Sequence, residues 1–223
     1  MRVQPLMANT FIECMHPWGN NQNERVAVLQ RRIDDFQKTN KGTAKLQGKL
    51  TFERLRTGGD WPKLRAKAAC TRHLSRFALL LAVEADNALP ADAPADVKLH
   101  SRRRRAVNQT LVRFYEILDE HDRFFPEDAL VELERIGRTL LVVYTQLSAE
   151  ARNNQRRMWK LIPKVHLFDH ICCIAVRVWG NPKKYWTYSD EDLQKLMKTI
   201  ALSCHTSTMA ESGLLKWITS TFD

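Results

Sequence analysis

Residues 163–193 read PKVHLFDHICCIAVRVWGNPKKYWTYSDEDL, and the way this stretch folds sets the reading of the rest of the chain. On a helix turning about 100° per residue, residues 164–179 put His166, His170, Cys173 and Arg177 on one narrow stripe, with Asp169 at its edge. Leu167, Phe168, Ile171, Ile174, Ala175, Val178 and Trp179 fill a wide opposite arc, the pattern of a mostly buried helix with a thin polar side. Gly180, Asn181 and Pro182 stop it, because glycine suits a left-handed cap and proline prevents continuation. Leu193, Leu196, Met197, Ile200 and Ala201 then recur at helical spacing, behind the capping-box sequence SDED of 189–192.

The same rhythm of helix, stop and helix runs upstream. Val26, Leu29, Ile33 and Phe36 predict a helix over 24–38. Asp60 and Pro62 read as the start of a helix over 61–85, with Cys70, Leu74, Phe77, Ala78 and Leu81 facing inward. Only Leu50 and Phe52 hint at a strand, and a short helix suits residues 50–56 equally. Val107, Leu111, Phe114, Leu118 and Phe125 line one long helix; Leu130, Leu133, Ile136, Leu140, Tyr144 and Leu147 line the next. The short FPED connection makes these two an antiparallel pair. Residues 1–18 show no clear period, and 211–218 read as a short closing helix. The expected fold is all-α: an irregular multi-helix bundle of amphipathic helices with an antiparallel long-helix pair. The Ala/Pro/Asp run of 86–98 reads as a linker between an N-terminal helical region, 1–85, and a C-terminal helical domain, 99–223.

The 223 residues carry 35 Lys and Arg against 25 Asp and Glu, a net charge of +10, which favours an anionic partner, nucleic acid foremost. Five scattered cysteines without framework spacing point to a reducing compartment. The start of the chain shows no charged stretch followed by an apolar core, and the longest apolar run, 77–83, is too short to span a bilayer. An intracellular protein without a membrane partner is expected, nuclear rather than cytoplasmic given the import-like HSRRRR of 100–105.

Candidate nucleic-acid contacts are the helix stripe Arg65, Arg72 and Arg76, the cluster Arg102, Arg103, Arg104 and Arg105, the group Arg156, Arg157 and Lys160, and the loop Lys183, Lys184 and Trp186. Each has a plainer reading: a solvated face, an exposed helix start, or aromatic rings that plug a core. His166 and His170, one turn apart, have the spacing of two metal ligands, but no HExxH or CxxC pattern completes a set, and a tight zinc site is not expected. Asp190, Glu191 and Asp192 could hold a divalent cation or simply complement a helix dipole.

At PKVHLFDH, WGNP and WTYSDED the chain resembles the C-terminal part of transposon-encoded transposase-like proteins, in which a Lys-x-His-x3-His helix precedes a helix opening with acids. Such families cut DNA with an RNase-H-like core, carboxylates and Mg²⁺. The resemblance implies that Glu191, or neighbouring Asp190 or Asp192, is the last acid of that set. The core's strands and earlier carboxylates are not visible, so the resemblance implies a truncated, non-catalytic piece, with Mg²⁺ as cofactor only if the core were complete. The expected function is a basic helical nucleic-acid-binding module. The alternatives are a helical protein–protein interaction domain and a metal-dependent nuclease component using the 190–192 acids.

Overall fold

The helix α1, Gln4–Cys14, is buried over most of its length: Leu6, Met7, Ala8, Asn9, Thr10, Phe11 and Cys14 are all buried. A helix buried on every side has no amphipathic period, which is why residues 1–18 looked featureless. The computed structural model describes residues 4–40, 44–184, 200, 202–204, 212 and 215, and every regular element among them is helical. The chain divides into two compact units, Met1–Pro182 and Lys183–Asp223. The helix of 193–201, its SDED cap and the closing helix lie outside the described residues except at isolated positions.

In the first unit, α2 is Gln22–Thr39, α3 is Phe52–Leu55, α4 is Ala68–Asn87, α5 is Ala95–Glu120 and α6 is Glu127–Asn153. The ambiguous segment at 50–56 thus holds one helical turn, Phe52–Leu55, and no strand. Helix α1 packs on α4, α4 on α5, and α5 on α6. Arg113 pairs with Glu132 at 2.9 Å and Arg103 with Glu150 at 3.3 Å, the crossed numbering of an antiparallel pair. The Ala/Pro/Asp run falls inside the first unit as a brief turn between α4 and α5, and its last residues, Ala95 to Lys98, form the first turn of α5.

Helix α2 begins as its sequence demands. Asn21 Oδ1 accepts the Glu24 N–H at 3.0 Å, and the Glu24 carboxylate accepts the Asn20 N–H at 2.8 Å, a reciprocal cap. Asn21→Ala should cost about 1 kcal/mol in urea unfolding, and a midpoint unchanged from the parent would show that water replaces the cap.

Two segments depart from expectation. The helix expected from residue 61 begins at Ala68. Residues 61–67 run outside any helix, with Pro62 and Leu64 buried and Trp61, Lys63, Arg65 and Lys67 exposed. Leu64 needs its inward position, and backbone bonds elsewhere satisfy the segment. The Lys63 N–H donates to Leu55 O at 2.8 Å, that of Leu64 to Gln4 O at 3.1 Å, and that of Arg65 to Arg54 O at 2.8 Å. In the second, residues 163–179 form α7, Pro163–His170, a π-helical turn, Ile171–Ala175, and α8, Val176–Trp179. Val165, Phe168, Cys172 and Val176 are buried, whereas Leu167, Ile174 and Val178 are 54%, 55% and 64% exposed. The segment is therefore half-buried rather than mostly buried. The widened turn lies where α6 presents Gly137, whose missing side chain leaves room for Cys172: a Cβ there would come within 2.7 Å of Cys172 Cβ.

Candidate nucleic-acid interface

The arginines that dominate the linear sequence are largely spent inside the fold. Arg72 binds Asp119 and lies 5.4 Å from the Tyr115 ring; Arg76 faces Glu116 at 3.9 Å. Arg65 belongs to the 61–67 segment and not to α4, so the stripe Arg65, Arg72, Arg76 does not exist as one helix face. In the RRRR run, Arg103 pairs with Glu150, Arg104 is buried against Glu13 and Ser101, and Arg105 reaches Asp86 at 3.2 Å. Arg102 is exposed and makes no ion pair among the described residues. The cluster sits within α5, beyond its first turn, and is not an exposed helix start.

The hub of these pairs is Glu13, on α1. Its Oε1 accepts from Trp159 Nε1 at 3.0 Å and Arg156 Nη2 at 3.2 Å; its Oε2 faces His100 Nε2 at 2.9 Å and Arg104 Nη1 at 3.5 Å. His100 Nδ1 faces Glu150 Oε1 at 2.9 Å. With a carboxylate on each ring nitrogen, His100 is satisfied only as the doubly protonated imidazolium. Burial alone would push the Glu13 carboxyl up, but the His100 hydrogen bond and charge, with Arg104 and Trp159, outweigh it and hold it below its ordinary range. Burial likewise opposes the His100 charge, and Glu13 and Glu150 outweigh it and raise that imidazole. Every oxygen of Glu13 is engaged, so the cluster reads as a buried clasp between α1, α5 and the 154–162 connector.

A broad surplus of basic over acidic residues lies elsewhere in the sequence. Residues 38–67 hold nine lysines and arginines and two acids, Glu53 and Asp60, a surplus of seven out of the chain's net +10. Lys63, Arg65 and Lys67 are exposed at alternate positions of the pinned 61–67 segment, which turns at Arg65, where the Ala66 N–H donates to Leu64 O at 3.1 Å. Beside them opens a cleft of about 290 Å³ lined by Lys45, Arg54, Arg65, Lys67, Leu46, Gln47, Ala66 and Cys70, with no carboxylate among the lining residues. Arg54 is its staple: Nη1 donates to the carbonyls of Gln47 at 2.8 Å and Lys49 at 3.0 Å, and Nη2 to that of Arg65 at 3.0 Å. It therefore fixes the walls and adds charge, while Lys45, Lys63, Arg65 and Lys67 are the exposed cations. Of these, the sequence reading named only Arg65. Charge counted by window, rather than by consecutive arginines, would have found the rest.

Next to this face, Arg157 Nη1 donates to Gly59 O at 2.8 Å and Lys160 Nζ lies 5.7 Å from the centre of the Trp61 ring. Lys183 and Lys184 are exposed in a 3₁₀ turn, Pro182–Lys184, while Trp186, Asp190, Glu191 and Asp192 lie outside the described residues. His166 and His170 do meet, Nε2 to Nε2 at 2.9 Å on the surface. Cys173 turns from their stripe to hydrogen-bond Asp169 at 3.4 Å, and Arg177 to pair with Glu127 at 2.9 Å. Among the described residues no group of three His, Cys, Asp or Glu side chains could hold a metal, and no helix is long and apolar enough to cross a membrane.

No protein-family model, no curated protein and no solved structure matches this chain.

Proposed function

We propose that the chain is a helical nucleic-acid-binding module that reads phosphate backbone without chemistry of its own. The observation that carries this is the cleft whose lining includes Lys45, Arg54, Arg65 and Lys67 and no acid, beside the row Lys63, Arg65 and Lys67. Lysines and arginines grouped on one surface neutralise phosphates and release the counterions condensed on the nucleic acid, which drives sequence-independent association. The origin we assign, a piece of a transposase-like protein, rests on the motifs of 163–192 alone. The exposed Leu167, Ile174 and Val178 favour a second reading, a helical surface for another protein.

Fluorescence anisotropy with an end-labelled oligonucleotide tests the first reading. Four exposed cations on phosphates predict a slope of about −3 in log affinity against log salt, at roughly 0.7 per contact for a single strand. Lys63→Gln with Arg65→Gln should weaken binding about tenfold or more at low salt. Arg76→Gln with Arg105→Gln, whose cations already face Glu116 and Asp86, should change it little. No binding at about 50 mM salt ends the proposal, and equal losses in both double variants return the interface to the arginine clusters.

A further inference from the structure

The basic face continues into a surface of different chemistry. An open trough of about 540 Å³ lies where the 61–63 and 160–167 segments meet, walled by Trp61, Pro62, Ile162, Pro163 and Leu167. Its other lining includes Lys63, Lys160 and one acid, Asp60. Trp61 is 36% exposed. The walls are stiff: prolines fix their backbone, the Lys63 N–H is held by Leu55 O at 2.8 Å, and the Val165 N–H by Ile162 O at 3.0 Å. A preformed site costs a ligand little ordering of the protein.

Such a trough suits a flat, uncharged, polarizable group tethered to negative charge. The ring of Trp61 offers a stacking face, the lysines offer partners for flanking phosphates, and the Asp60 carboxylate can accept hydrogen bonds from ring or exocyclic N–H groups of a base. The segment that carries Trp61 and Lys63 into the trough carries Arg65 and Lys67 into the cation-lined cleft, so one strand can run along both. We propose that the trough holds an unstacked nucleobase, and that the surface therefore prefers single-stranded nucleic acid to duplex. In a duplex the base faces are buried in the stack and only the backbone reaches the protein. In the free protein the Lys160 ammonium sits near the Trp61 ring; a stacked base displaces it toward the adjoining phosphate. This inference rests on the nucleic-acid reading of the basic face.

Anisotropy on the full chain with labelled oligothymidylate of about 12 nucleotides, within the span such surfaces cover, and with a duplex of equal length, decides it. Trp61→Ala should weaken single-strand binding about tenfold, Trp61→Phe should restore most of it, and neither should move duplex binding. Trp61 is a surface residue, and a circular dichroism melt of each variant confirms that the fold is retained. If neither oligonucleotide binds the parent protein, both the inference and the nucleic-acid reading fall. If both bind and Trp61→Ala changes neither, or changes both equally, the inference falls and the basic face stands. A labelled peptide alternating glutamate and phenylalanine provides the remaining arm: binding that needs Trp61 when oligothymidylate binding does not makes the trough a peptide groove and overturns the inference.

Discussion

Glu13→Ala is expected to lower the stability of this protein by about 3–5 kcal/mol, the cost of removing one partner from a buried charged network. The carboxylate side chain is 3% exposed; its loss leaves His100, 15% exposed, with Glu150 as its one carboxylate, and takes from Arg104, 10% exposed, the carboxylate it faces. It also removes the acceptor for the indole N–H of Trp159, a fully buried residue already held at a positive φ of 54°. Domains of this kind are stable by only about 5–15 kcal/mol, so the variant should sit near its unfolding midpoint in mild urea. Glu13→Gln keeps the volume and the acceptor for Trp159, yet its amide cannot balance an imidazolium; it should lose at least half as much. Urea unfolding of both variants is the measurement, and losses below about 1 kcal/mol, the scale of an ordinary hydrogen bond, would mean that water replaces the network.

The clasp also gives stability a pH profile with a definite sign. Glu13 is held below its ordinary value of 4.5, so its contribution is complete above that pH and is lost as pH falls through the folded value. His100 is raised above its ordinary 6.5, so its contribution is complete below 6.5 and is lost as pH rises through the raised folded value. Together they favour the window between about 4.5 and 6.5, with a decline on the alkaline side specific to His100. His100→Gln should flatten that decline; an alkaline decline of equal size in the variant assigns it to another group.

Particular residues show what was legible in the chain. Helices α2, α5 and α6 follow from apolar spacing because each has one wet face: Leu29 and Ile33, Leu111 and Leu118, Leu133 and Leu140 are all buried where the period puts them. Helix α1 is illegible by the same logic, since Met7, Ala8, Asn9 and Thr10 are consecutive and all buried. The 61–67 segment was misread because Asp60 and Pro62 imitate a helix start, while the bonds that hold it open come from Gln4, Arg54 and Leu55. The arginine clusters misled for a related reason. A run such as RRRR is visible in one dimension, but the acids that neutralise it, Glu13, Asp86 and Glu150, are separated from it by up to 91 residues. Counting the acids missing from 38–67 needs no such distant information.

Gly180→Ala should cost about 3 kcal/mol or more, and the reason lies in the WGNP turn. Gly180 has φ 78° and ψ −148°, not the left-handed cap expected from sequence but a region open essentially to glycine alone, worth about 1–3 kcal/mol of strain for another residue. An added Cβ would also collide with the backbone carbonyl oxygen of Arg123 and approach Phe124 Cδ1 at 3.3 Å. That carbonyl cannot retreat freely, because it accepts the Asn181 N–H at 2.7 Å. Fully buried Asn181 in turn sends its amide nitrogen to the carbonyls of Leu118, His121 and Asp122, each at 2.9 Å, closing the C-terminal end of α5. Displacing residue 180 therefore loosens several hydrogen bonds of about 1 kcal/mol each. Gly58→Ala separates strain from collision: Gly58 also has positive φ, 52°, but nothing lies within 4 Å of its Cβ position. It should cost only the left-handed penalty of about 1–2 kcal/mol. Asn181→Ala keeps the backbone and removes the side-chain donor, and leaving buried carbonyls unmet should cost about 1–3 kcal/mol. If Gly180→Ala costs no more than Gly58→Ala in urea unfolding, the Arg123 backbone yields and the turn is not the clamp on α5. If it costs more and Asn181→Ala follows, Gly180 and Asn181 of the WGNP motif are explained by closing the end of α5, and they supply no evidence for or against a catalytic past.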